Sequence, residues 1–151
     1  VFKRSVFDHF GLMGSDCPTE DSPNLFRAFL LGRVGYSYRP NIKYRVHGNN
    51  ISALHSLMTK FNPKDIYNQY KRDLEVAFSK GFVSSRDYAL LDRHLDRYLR
   101  IGVAIRQIYG ERGFLCRICL ALSYILKCGY DLADVRNLVG QVRDWRRNDL
   151  G

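Results

Sequence analysis

Along most of this chain apolar residues recur every three or four positions, the helical period, and only between residues 34 and 47 do they alternate. Residues 4–10 read as one or two helical turns with Val6, Phe7 and Phe10 apolar and Gly11 as a stop. A polar loop at 13–20 follows. Ser22 and Pro23 then read as an N-cap and a first-turn proline, with Leu25, Phe26, Phe29 and Leu30 as the buried stripe and Gly32 closing the helix. Two short strands come next, 34–38 and 42–47. Alternation sends Lys43, Arg45 and His47 to one face of the second strand and Ile42, Tyr44 and Val46 to the other. Gly48-Asn49-Asn50 ends it as a turn, since Gly and Asn tolerate positive φ.

From Ile51 onward the period is helical throughout. Residues 52–61 carry Leu54, Leu57 and Met58, and Asn62-Pro63 opens a second helix with Ile66, Tyr67, Tyr70, Leu74 and Ala77-Phe78 on one side, stopped at Gly81. Ser84-x-x-Asp87 reads as a capping box with Asp in place of Glu, opening a helix through Leu90, Leu91, Leu95, Tyr98, Leu99 and Ile105 that breaks at Gly110. Leu115, Ile118, Cys119, Leu122 and Ile125-Leu126 mark a more apolar helix. A last one starts near Asp131, with Leu132, Val135, Leu138-Val139, Val142 and Trp145 inward. The pattern predicts a mainly α chain: a short helix and two short strands in residues 1–52, then a bundle of about five helices in 53–151. No fixed-period repeat and no flexible linker divides them.

Composition sets the class. With 46% hydrophobic and 26% charged residues among 151, the chain reads as soluble and globular, and no apolar run is long enough to span a bilayer. The first ten residues lack an initiator Met and the order of a signal peptide, so the chain reads as beginning within a domain. Net charge is +9, with seven basic and four acidic residues in the first 52 positions and the remaining +6 beyond them. That balance attracts polyanions: nucleic acid, anionic headgroups or sugar diphosphates. Cys17, Cys116, Cys119 and Cys128 are too irregular for a disulfide framework. Cys116 and Cys119 lie three apart in an apolar helical run with no second ligand pair at finger spacing. They read as buried structural thiols in a reducing compartment.

Thr19-Glu20-Asp21, then Phe26-Arg27-Ala28-Phe29-Leu30-Leu31-Gly32, Tyr36 and the run from Lys43 to Ser52 together resemble the C-terminal part of the catalytic domain of family 2 glycosyltransferases. These are inverting sugar transferases of GT-A fold. The resemblance covers about residues 1–52 and implies that they are the C-terminal remnant of an α/β GT-A domain, followed by a helical region. It implies transfer from a nucleotide-diphosphate sugar to a hydroxyl of a saccharide or lipid-linked acceptor, in the assembly of surface polysaccharide or another glycan. Asp21 would be the base, Glu20 would bind acceptor hydroxyls, and Lys43 and Arg45 would neutralise diphosphate oxygens. His47 would bind a divalent cation, Mg or Mn, whose other ligands belong to an upstream half bearing Asp-x-Asp, a motif this chain lacks. Without that half the chain alone is expected to be inactive. A cytoplasmic location at the inner face of the membrane goes with such acceptors.

The residues also allow plainer readings. Glu20-Asp21 fits a solvated helix start, His47 a turn-capping surface residue. Arg93, Arg97, Arg100 and Arg106 form a basic stripe that reads as a solvated face, with Asp87, Asp92 and Asp96 spaced to pair with it. Arg143-Asp144-Trp145-Arg146-Arg147 sets an aromatic among bases, as in segments that dock on anionic membranes. The alternative to a transferase fragment is therefore a non-catalytic basic helical module that binds protein, an anionic membrane surface or, as the least favoured partner, nucleic acid.

Overall fold

A computed structural model describes residues 3–32, 34–35, 38, 61–111 and 113–127. These residues are mainly helical, with no strand among them: α1 (Ser5–Phe10), α2 (Asp21–Leu30), α3 (Pro63–Ser79), α4 (Ser85–Gly110) and α5 (Phe114–Lys127). Most of 34–47, where alternation predicts the two strands, lies outside the described residues, as do all but the last residue of the helix expected over 52–61 and the helix expected from Asp131; Val34, Gly35 and Tyr38 are described and carry no strand.

Helix ends follow the local sequence. Gly11, at φ 69, stops α1 and returns its N–H to Phe7 O at 3.0 Å. Asn62 caps α3, its side-chain oxygen accepting from Lys64 N at 3.1 Å while Pro63 occupies the first turn. The other end of α3 is a Schellman motif. Gly81, at φ 74, donates to Phe78 O at 3.0 Å and Phe82 N to Ala77 O at 2.9 Å. At α4 the Ser84 hydroxyl accepts from Asp87 N at 3.1 Å, the N-cap half of the expected box, and donates to Asp87 Oδ2 at 2.7 Å, so the Asp87 carboxylate holds the capping hydroxyl. α2 departs from expectation by two positions. It begins at Asp21 behind Glu20, which makes no side-chain cap bond, and Ser22 lies inside the first turn rather than at the cap.

The chain divides into two compact units, Val1–Leu99 and Arg100–Gly151. In the first, Phe10, Leu30, Leu74, Ala77 and Leu95 form the buried cluster, with Phe26, Tyr67, Tyr70, Tyr88 and Leu91 packed on it. The cluster thus draws on residues from both sides of position 52. Phe26 and Tyr70 stack with ring centres 4.8 Å apart, and Phe78 and Tyr88 at 4.7 Å.

The face α2 buries matches its apolar stripe only at Phe26 and Leu30. Leu25 and Phe29 are 52% and 54% exposed, whereas Pro23, Asn24, Arg27 and Leu30 are buried. Arg27 turns inward because it has a carboxylate to meet there, described below, and that contact rotates the helix away from its purely apolar optimum. In the second unit Ala104, Ile105 and Ile108 are buried, while Leu115, Ile118, Leu122 and Leu126 on α5 are exposed. Cys116 and Cys119 are exposed too, which corrects the expectation of buried thiols: the α5 face that carries them is the outer one. Cys128 lies outside the described residues.

Candidate functional site

The site begins with a buried charge. Arg27 and Asp73 are 1% and 2% exposed and pair through two parallel bonds, Nε to Oδ2 at 2.8 Å and Nη2 to Oδ1 at 2.9 Å. Two ions this deep are tolerable only if their remaining donors and acceptors are also met. Here they are. Arg27 Nη1 donates to Gly11 O at 3.0 Å, the guanidinium lies 5.4 Å from the Phe10 ring centre, and Gln69 Nε2 donates to Asp73 Oδ1 at 2.9 Å.

From Gln69 the network passes into the loop between α1 and α2. Its side-chain oxygen accepts from Gly14 N at 2.9 Å and from Arg72 Nη2 at 3.1 Å, and Arg72 Nη2 also reaches Asp16 Oδ1 at 3.2 Å. Arg72 holds the Asp16 carboxyl below the usual carboxylate value, helped by the residue's own backbone N–H. The Arg72–Asp16 contact lies close over Gly14. A Cβ there would stand 2.3 Å from both Arg72 Nη2 and Asp16 Oδ1. Further along, Cys17 N donates to Gly14 O at 3.0 Å and Cys17 Sγ to Thr19 O at 3.1 Å, which carries the chain into Glu20 and Asp21.

Glu20 and Asp21 sit where this loop becomes α2. Both are exposed, and neither has a side-chain hydrogen bond or ion pair among the described residues. Asp21 stands in the first helical turn, where backbone N–H groups face outward and favour an anion or a negatively charged side chain. One turn on, Asn24 is 7% exposed and its side-chain oxygen lacks a hydrogen-bond partner among the described residues. Tyr70 lies against the same end of α2, its hydroxyl raised in pKa by burial and by Tyr98, with Ser22 acting in the opposite sense.

Lys43, Arg45 and His47, the expected phosphate and metal residues, lie outside the described residues. Among the described residues no group of three or more His, Cys, Asp or Glu side chains could hold a metal ion, so nothing described fits the divalent site the resemblance implies. An open apolar groove of about 370 Å³, lined by Phe29, Leu31, Phe82, Val83, Leu90 and Leu91, lies at the far end of α2 from Asp21. Its polar lining residue Asp87 is engaged by the Ser84 cap.

The acidic residues interleaved with the basic stripe of α4 also serve α3. Arg93 and Arg100 are exposed, as a solvated face requires. Asp92 and Asp96, however, reach Lys71 on α3, and Asp96 also accepts from the Tyr67 hydroxyl at 2.7 Å. Comparison with family models, with curated proteins and with solved structures found no match to this chain.

Sequence reasoning passed over Gln69, Arg72 and Asp73, and it read Arg27 only as part of a motif. Burial marks them only once the structure is known: Arg27 shares a helical row with buried Pro23 and Leu30, and Asp73 with buried Gln69 and Ala77.

Proposed function

We propose that this chain is the acceptor-side part of an inverting glycosyltransferase that uses a nucleotide-diphosphate sugar, with Asp21 as the general base. The observation that carries the proposal is the contrast at the start of α2. A carboxylate that is exposed and has no partner among the described residues closes a loop that is otherwise fastened by a buried ion pair and its hydrogen bonds. A base must be free to meet a hydroxyl yet fixed in place, and scaffold-held loops are where such side chains stand.

In the proposed reaction the acceptor O–H gives its proton to the Asp21 carboxylate as the acceptor oxygen bonds the anomeric carbon. The bond from that carbon to the diphosphate oxygen breaks, and the nucleoside diphosphate leaves with the electron pair from the opposite face, inverting the centre. Glu20, beside Asp21 and equally exposed, binds acceptor hydroxyls. Lys43 and Arg45 neutralise the leaving oxygens. A divalent cation, with His47 as one ligand and an upstream nucleotide-binding half supplying the others, would offset the same charge. The acceptor is a saccharide or a lipid-linked saccharide, met at the inner face of the membrane.

The test is Asp21→Asn in the intact polypeptide that contains this chain. It is assayed against a panel of nucleoside-diphosphate sugars by release of the nucleoside diphosphate. Turnover should fall by about 10²–10⁴-fold, the usual contribution of a positioned base, with donor binding little changed. Transfer at the parental rate would remove Asp21 from the mechanism.

A further inference from the structure

We propose that the Arg27–Asp73 pair, extended through Gln69 and Arg72, is a positioning unit that holds Asp21 in register with its acceptor. The inference rests on the reading of Asp21 as the base. The reason lies in where the fastenings fall. Upstream of Thr19–Asp21 the loop is tied to α3 at Gly14, through Gln69, and at Asp16, through Arg72. Downstream, α2 is tied to the same helix by Arg27, six residues after Asp21, and Arg27 also grips Gly11 O at the loop's first residue. The segment carrying Asp21 is therefore held on both sides by one helix.

Apolar packing alone could seat α2. A buried ion pair is no better for stability than an apolar pair of like volume. What a guanidinium adds is direction, because its planar fork fixes distance and angle to a carboxylate and a carbonyl together. A base needs that, since misplacement by about 1 Å can cost on the order of 100-fold in rate. Arg27, Asp73, Gln69 and Arg72 touch no substrate in this scheme and act through Asp21.

Two measurements test it. On the 151-residue chain, Arg72→Gln removes a half-exposed link without opening the core. Hydrogen exchange of the loop amides, residues 11–20, should quicken about fivefold while α3 and α4 keep their protection. In the intact polypeptide, Arg27→Lys keeps the charge and loses the fork. It should lower kcat without moving donor KM, and add nothing in an Asp21→Asn background, since residues acting as one unit are non-additive. If Arg27→Lys does not fold, Arg72→Gln takes its place in the cycle. Unchanged loop exchange overturns the fastening, and an Arg27→Lys loss that persists at full size beside Asp21→Asn overturns the positioning role alone. Full turnover in Asp21→Asn itself removes the base, and the positioning role with it.

Discussion

At the scale of single residues, one network holds two kinds of link, and burial decides their weight. Asp73→Asn would leave the Arg27 guanidinium charged and buried at 1% exposure. Breaking one partner of such a pair costs about 3–5 kcal/mol. Gly14→Ala breaks a weaker link. The new Cβ meets only the mobile ends of Arg72 and Asp16, which are 49% and 47% exposed as a pair, so both swing into water and little stability is lost. Urea unfolding of the two variants should rank them in that order by a wide margin. Asp16 adds a pH signature. Its folded-state pKa is lowered by Arg72, so the stability it contributes is present above the ordinary value of 3.8 and fades as pH falls through the folded value. The stability gap between the parent chain and Asp16→Asn should therefore be open at neutral pH and close in acid.

At the scale of elements, what the sequence made legible was helix existence and helix ends. Proline and asparagine at 62–63, glycine at 81 and Ser84-x-x-Asp87 act through local backbone chemistry, so their meaning survives without the fold. Ser84→Ala should cost about 1 kcal/mol, read as a lowered midpoint of thermal unfolding with exchange rising first in the opening turn of α4. The buried face of α2 was less legible. Hydrophobicity favours Leu25 and Phe29 inward. The choice of Arg27 instead depends on Asp73, 46 residues away, and single-chain periodicity carries no information about that partner. Exposed Cys116 and Cys119 fail to be legible for the same reason: an apolar helix of any kind reads as buried, and only its neighbours decide which side is.

The join between α3 and α4 shows the same dependence on a distant partner. Partial burial works against the Lys71 charge, but Asp92, with Tyr67 and Asp96 behind it, overrides that and raises its pKa. A raised lysine stabilises fully below its ordinary value of 10.5 and is lost only as pH rises through the folded value. Lys71→Met should thus cost a constant amount, about 1 kcal/mol for a pair this exposed, across the neutral range, with the difference shrinking only in strong alkali.

At the scale of the whole molecule, charge separates the two readings of function. The excess of nine is divided along the sequence: residues 1–99 carry fifteen basic and ten acidic side chains, and residues 100–151 carry nine and five. Screening limits what such an excess can do. At physiological ionic strength the Debye length is about 8 Å, so only bases within about that distance of one another add at one contact. A sugar transferase needs only a few cations around one diphosphate, and its affinity for long polyanions should be incidental. A basic module that grips nucleic acid must instead neutralise several phosphates together, and each one steepens the salt dependence by about 0.9 in log–log slope. Fluorescence anisotropy of a labelled duplex oligonucleotide with the 151-residue chain reads this directly. The transferase reading expects weak binding, in the range of about 10⁻⁴–10⁻⁶ M typical of non-specific contact, that fades by physiological salt. Tight binding that persists there with a steep slope would favour the module. The tail is tested apart from this, because Arg146 and Arg147 lie outside the described residues and enter only through the sequence. If they dock the chain near a lipid-linked acceptor, replacing both with Gln should abolish its cosedimentation with vesicles of phosphatidylcholine and phosphatidylglycerol, while oligonucleotide binding is unchanged.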